Sequence, residues 1–196
     1  DISPGGLLTL NPDVSDVGKR VSVPVADHLR LLVMGGVQQA GAGCLCSEYA
    51  LLAAIIRRLP LFGDDIILLD TPAGLEHFGR AVADGFNCAV VVADPSYNAL
   101  SVARESAALA RQLGIGHVIL VVNRVSTQED QDKARERAGD LNEFSRVMLL
   151  SFDAGGITAE PEVIPILATD SEFMHAIKSL AATISQKCEV QSPEFP

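Results

Sequence analysis

The sequence predicts an α/β fold, a doubly wound and mostly parallel sheet with helices on both faces. Short runs of Val, Leu, Ile and Ala alternate with stretches of helical period, the pattern of strand–helix–strand units. The 196 residues are 48% hydrophobic but only 5% aromatic. The core must therefore be aliphatic, as suits strands covered on both faces. Three apolar runs end in short polar or glycine-bearing signatures: D-T-P-A-G at 70–74, D-P-S at 94–96 and N-R at 123–124. Strand C-termini of a parallel sheet share one edge, where open α/β sheets place their ligands.

Taken in order, Leu7 to Leu10 is an apolar run closed by the turn signal Asn11-Pro12-Asp13. Residues 13–27, with Gly18 and Pro24, read as an irregular excursion, and Leu29 to Met34 as a strand. A glycine-rich loop from Gly35 to Gly43 leads to Cys44-Leu45-Cys46. Ser47 is placed to cap a helix carrying Leu51, Leu52, Ile55, Ile56 and Leu59, which Pro60 stops. Ile66 to Leu69 reads as a strand ending on Asp70 and turning through Thr71-Pro72-Ala73-Gly74. Leu75 to Asp84 then reads as a short helix ended by Gly85.

Cys88 to Ala93 is a fully apolar strand, followed by the turn Asp94-Pro95-Ser96. The next helix points Leu100, Ala103, Ala107, Ala110 and Leu113 inward and stops at Gly114. His117 to Val122 is a buried strand closed by Asn123-Arg124, and the charged residues 128–142 are helical. Arg146 to Leu150 makes a further strand and Val163 to Leu167 a short one. Thr169-Asp170-Ser171-Glu172 has capping-box spacing before a final helix packed through Phe173, Ile177, Leu180 and Ile184. Residues 1–188 read as a single α/β domain and 189–196 as a frayed tail.

Composition excludes several roles. Twenty-five acidic against fifteen basic residues give a net charge of −10, which disfavours nucleic acid or an anionic membrane surface as partner. No apolar run approaches the ~18 residues of a membrane span, and no secretory leader pattern is present. Four cysteines in a chain of this size do not make a disulfide framework. A reducing cytoplasm is expected. No G-x-x-x-x-G-K-[ST] phosphate loop occurs in the sequence.

Asp70 is a hard oxygen ligand at a strand end, suited to Mg²⁺. Gly74 in the turn after it lets backbone N–H groups approach a γ-phosphate. The plainer alternative is a helix cap and a turn glycine. Asn123 can read a purine edge through its amide, or can simply cap a loop. Cys44 and Cys46 offer two thiolates to one soft cation, half of a tetrahedral site. A two-fold dimer would complete that site; a buried or redox-sensitive pair is the alternative. Cys88 reads as core, His77 as a partly exposed structural histidine, and Cys188 lies near the frayed end.

The succession GGLLTLNP, LLVMGG, a glycine-rich loop with CLC, DTPAGLEHFGR, ADPS and VVNRV resembles the CooC proteins. These are MinD-type P-loop ATPases that assist nickel insertion into carbon monoxide dehydrogenase. The likeness runs from about Gly5 to Val125. DTPAG is shared with the whole MinD, ParA and nitrogenase-iron-protein class. The C-x-C before a helix and the A-G-L-E-H-F-G-R run point to the CooC branch.

The resemblance implies that Cys44 and Cys46 bind metal and bridge a homodimer. It implies that Asp70 is the Walker B-type catalytic aspartate, Gly74 the switch glycine and Asn123 the adenine contact, with Thr71 and Arg124 also at the cofactor. ATP, Mg²⁺ and Ni²⁺ (or Zn²⁺ as its surrogate) follow as ligands, and carbon monoxide dehydrogenase or a related nickel enzyme as partner. In the family a phosphate loop with two lysines and a catalytic aspartate precedes what is residue 1 here. The Pro-bearing adenine turn is replaced by Ser151-Phe152-Asp153.

ATPase activity is therefore expected where the native protein supplies that loop, and weak ATP binding from these residues alone. The family's phosphate-loop strand lies between the 66–69 and 88–93 strands, so those two are not expected to pair directly. A non-catalytic metal-binding or regulatory protein on the same scaffold is the alternative. A MinD- or ParA-like partitioning ATPase is a second, disfavoured by the C-x-C pair and by the lack of a basic amphipathic C-terminal helix.

Overall fold

The computed structural model describes residues 20–35, 46–59, 61, 65–137, 143–159 and 161–187. It divides into two compact units, residues 1–72 with 79–82, and residues 73–78 with 83–196.

In the first unit, β1 (Val23–Ala26) and β2 (Leu29–Leu31) form an antiparallel hairpin. It turns at Asp27-His28, with His28 in the left-handed region at φ 62°. Part of the expected excursion at 13–27 is thus a strand, and the expected strand at Leu29 to Met34 is shorter. Pro24 is tolerated because it lies beside a register shift in a two-stranded ribbon. Helix α1 (Cys46–Ile56) begins one residue before Ser47. Ser47 is therefore inside the helix, and its hydroxyl donates to the Glu48 carboxylate at 2.9 Å instead of capping. Ala53 and Ile55 are buried, whereas Leu51 is exposed.

The expected strand at 66–69 is not formed. A strand is defined by its ladder of hydrogen bonds, and no described segment supplies one to these residues. The expected helix at 75–84 reduces to a 3-10 turn, Phe78–Arg80, among irregular turns. Gly79 is a poor helix former, and Ala81 at φ 48° leaves the right-handed region.

The second unit holds a parallel sheet of β3 (Cys88–Ala93), β4 (His117–Val125) and β5 (Arg146–Ser151), in that spatial order. Helices α2 (Tyr97–Gln112) and α3 (Gln128–Arg137) connect the strands. The short α4 (Ala154–Thr158), a 3-10 turn at Ile164–Ala168 and α5 (Glu172–Lys187) follow β5. Ser96 caps α2 by accepting the Ala99 N–H, and Gly114 at φ 81° turns the chain away after it. The expected strand at 163–167 is the 3-10 turn, since Pro165 near its start has no N–H for a ladder. Ser171, two residues after the expected capping Thr169, caps α5 by accepting the Met174 N–H at 3.2 Å.

The alternation along β4 separates two apolar layers. Val118, Leu120 and Val122 join Leu100, Ala103, Ala107 and Ala110 of α2. Ile119 and Val121 join Met148, Leu150 and the Phe173, Ile177, Leu180 and Ile184 stripe of α5. No residue from Val118 to Val122 is more than 1% exposed. A parallel sheet with a helix on either face is the doubly wound α/β class, consistent with a P-loop NTPase-like fold. Among the described strands β3 is hydrogen-bonded only to β4, so residues 66–69 do not pair with it.

Candidate functional site

The C-terminal ends of β3, β4 and β5 define one edge of the second unit. After β3, Asp94 Oδ1 accepts the Ser96 N–H at 2.8 Å, an Asx turn that sets up the start of α2. Its carboxyl is held below the usual range chiefly by the Ser96 hydroxyl and then by the Ser96 N–H. Partial burial opposes this, and the Arg124 charge assists it. Arg137, at the end of α3, donates from Nη1 to the Pro95 carbonyl of this turn at 3.0 Å.

The end of β4 is a bulge. Val122 pairs with Leu149 and Val125 with Ser151, so Asn123 and Arg124 together oppose Leu150 alone. Arg124 adopts φ 61°, and its N–H donates to Asn123 Oδ1 at 2.8 Å. The strand therefore continues past the expected stop at Val122. Val125 is 5% exposed and packs with Val118, Leu120 and Val122. Asn123 is half-buried and Arg124 exposed. After β5, Asp153 Oδ1 accepts the N–H groups of Gly155 and Gly156 at 2.8 and 3.3 Å.

Asn123 and Arg124 are thus brought together, with Asp94 near enough to feel the Arg124 charge. Asp70 and Thr71 belong to the first unit, and Gly74 to the second. Asp70 is exposed and Thr71 half-buried. Gly74 has φ 99°, and an added Cβ would meet nothing within 4 Å. Glycine is needed there for its backbone conformation, and the approach to the turn is open. His77 is half-buried with its ring 4.3 Å from that of Phe78, and burial lowers its pKa. Asp94, Ser96, Arg137 and Asp153 were not among the sequence candidates. The D-P-S signature marked the first two, but Arg137 lies 42 residues from Pro95, beyond any local pattern.

Cys44 lies outside the described residues, and Cys46 is the first residue of α1. Among the described residues no three His, Cys, Asp or Glu side chains gather as a metal would require. Cys88 is half-buried against the α5 layer, in keeping with a packing role. The remaining glycine-rich loop residues from 36, together with Leu7 to Leu10, Pro60, residues 138–142, Cys188 and the 189–196 tail, lie outside the described residues. No described helix is long and apolar enough to cross a membrane.

No family model matches the chain. The carbon monoxide dehydrogenase accessory protein CooC of Rhodospirillum rubrum is 33% identical over 152 residues, 76% of this chain and 56% of that protein. By that similarity the chain is a CooC homologue. An uncharacterized ATP-binding protein of Methanocaldococcus jannaschii is 34% identical over 127 residues, 65% of this CooC-like chain and 49% of its own length. A second from the same organism is 32% identical over 102 residues, 52% of this chain and 41% of its own length. The CooC-like chain spans about half the length of the curated relatives it matches.

Proposed function

We propose that the protein is an ATPase that assists nickel insertion into carbon monoxide dehydrogenase or a related nickel enzyme. The observation that carries this reading is the 33% identity to the R. rubrum accessory protein over 76% of the chain. The ATP-binding relatives support nucleotide binding. In this reading ATP closes a homodimer and hydrolysis reopens it. Cys44 and Cys46 from both copies then face one Ni²⁺, the cargo, which four thiolates suit.

Asp70, an exposed carboxylate, has the donor chemistry to hold Mg²⁺. That ion, when bound, offsets the charge on the nucleotide phosphates. Thr71 and Gly74 present hydroxyl and backbone donors to the nucleotide side of the turn. Asn123, with its Oδ1 engaged by the Arg124 N–H, turns its NH₂ donors to a purine acceptor. The Arg124 guanidinium adds positive charge beside the base.

The test is titration of the full-length protein with Ni²⁺ or Zn²⁺, read by mass and sedimentation with and without MgATP. About one cation per two chains is expected, with affinity falling as pH drops and the thiols protonate. The Cys44→Ser/Cys46→Ser variant is expected to lose metal and to dimerise more weakly while staying folded. Unchanged metal binding in that variant would overturn the assignment. Metal binding without ATP hydrolysis would favour a non-catalytic metal-binding protein on the same scaffold.

A further inference from the structure

Resting on that proposed function, the geometry points to Arg80 and Tyr49 as the contact that couples the turn after Asp70 to the helix beginning at Cys46. The Arg80 guanidinium carbon lies 4.9 Å from the centroid of the Tyr49 ring, within the range of a cation–π attraction. Both residues are half-buried, where displaced water strengthens such a pair.

The backbone around Arg80 is built to aim it. Residues 79–82 belong to the first unit, although the residues on either side of them belong to the second. Arg80 closes the 3-10 turn that starts at Phe78. Ala81 then adopts φ 48° without being glycine, a conformation that persists only where neighbours hold it. Val82, 4% exposed, anchors the next position.

Tyr49 is in the first turn of α1, three residues after Cys46. Ala53, four residues further and hence on the same helical face, is buried. A shift at Tyr49 is therefore passed to the start of a rigid helix. Any rearrangement of the segment from Asp70 that moves Arg80 changes an interaction made with the helix that begins at Cys46. Under linkage this acts in both directions, nucleotide on metal and metal on nucleotide. One half-buried cation–π contact supports a coupling of about two- to fivefold in affinity. The A-G-L-E-H-F-G-R run thus gains a role for its terminal arginine that the proposed nucleotide and metal contacts do not use.

The experiment uses full-length protein, Ni²⁺ alone as metal probe, and Mg²⁺ with a non-hydrolysable ATP analogue. Ni²⁺ affinity is measured with and without nucleotide, and nucleotide affinity with and without Ni²⁺. Arg80→Gln and Tyr49→Leu are each expected to reduce the coupling ratio about two- to fivefold, and the double variant no further. Tyr49→Phe, which keeps the ring face, is expected to retain it. In ligand-free protein, amide exchange in the first turn of α1 is expected to quicken in Arg80→Gln and Tyr49→Leu but not in Tyr49→Phe. A wild-type protein that couples the two ligands, with the ratio unchanged in Arg80→Gln, overturns this inference and leaves the proposed function standing. Additive losses in the double variant do the same. A wild-type protein that binds neither ligand overturns the proposed function and the inference with it.

Discussion

The two units use the same kinds of apolar residue to opposite effect. In the second unit, Val118 to Val122 lie between two hydrogen-bonded strands and between two helical layers, and almost none of their surface is exposed. In the first, every residue of β1 and β2 is exposed, and Ile66 and Leu68 are 55% and 80% exposed. The difference lies in neighbours and owes little to composition. A strand buries a face only where another layer packs on it, and β4, covered on both faces and paired on both sides, is buried most completely.

The largest test of that contrast is Leu120→Ala. Leu120 is fully buried in the centre of the sheet, and the substitution is expected to cost about 2–5 kcal/mol, read from urea unfolding. Next comes Ser96→Ala, which removes the cap of α2 and is expected to cost about 1 kcal/mol. The same change takes away the main hydrogen bond that lowers the Asp94 pKa, so an NMR titration should show that carboxyl returning upward. A capping loss without any movement of Asp94 would separate the helix from the edge.

A smaller effect is expected from pH. Burial lowers the His77 pKa below the ordinary value of about 6.5. The unfolded chain then takes up this proton first as pH falls, so stability is full above about pH 6.5 and declines on acidification until the folded pKa is reached. His77→Gln, which does not titrate, should flatten that part of a stability-against-pH curve. The smallest effect is expected at Leu68→Ala, within about 0.5 kcal/mol. If it destabilised as strongly as Leu120→Ala, the contrast between the units would fail.

The legible parts of the sequence were those fixed by local period and by helix stops. The strand at 88–93 has the predicted bounds, and α2 buries Leu100, Ala103, Ala107 and Ala110 as its spacing implied. Residues 66–69 have the same apolar character as 88–93, yet no described partner gives them a ladder, and pairing cannot be read from a single segment. The D-P-S and N-R signatures fall at the C-terminal ends of β3 and β4, on one edge of the sheet. The bulge at Asn123-Arg124 was not legible, because it depends on register against β5. Arg80 over Tyr49 joins residues 31 positions apart, and a lone arginine in a glycine-bearing turn gives no sign of it.

The bulge can also be seen as a dislocation in a lattice of period two. An extra residue inverts the parity of everything after it, and so the odd-numbered Val125 joins the layer of Val118, Leu120 and Val122. The strand thus carries one position beyond what its packing needs. Excising Arg124 would leave Val125 in phase with the core and restore an unbroken ladder to β5. The core is therefore indifferent to what occupies the dislocation, and residues 123 and 124 can change while the fold beneath them stays the same.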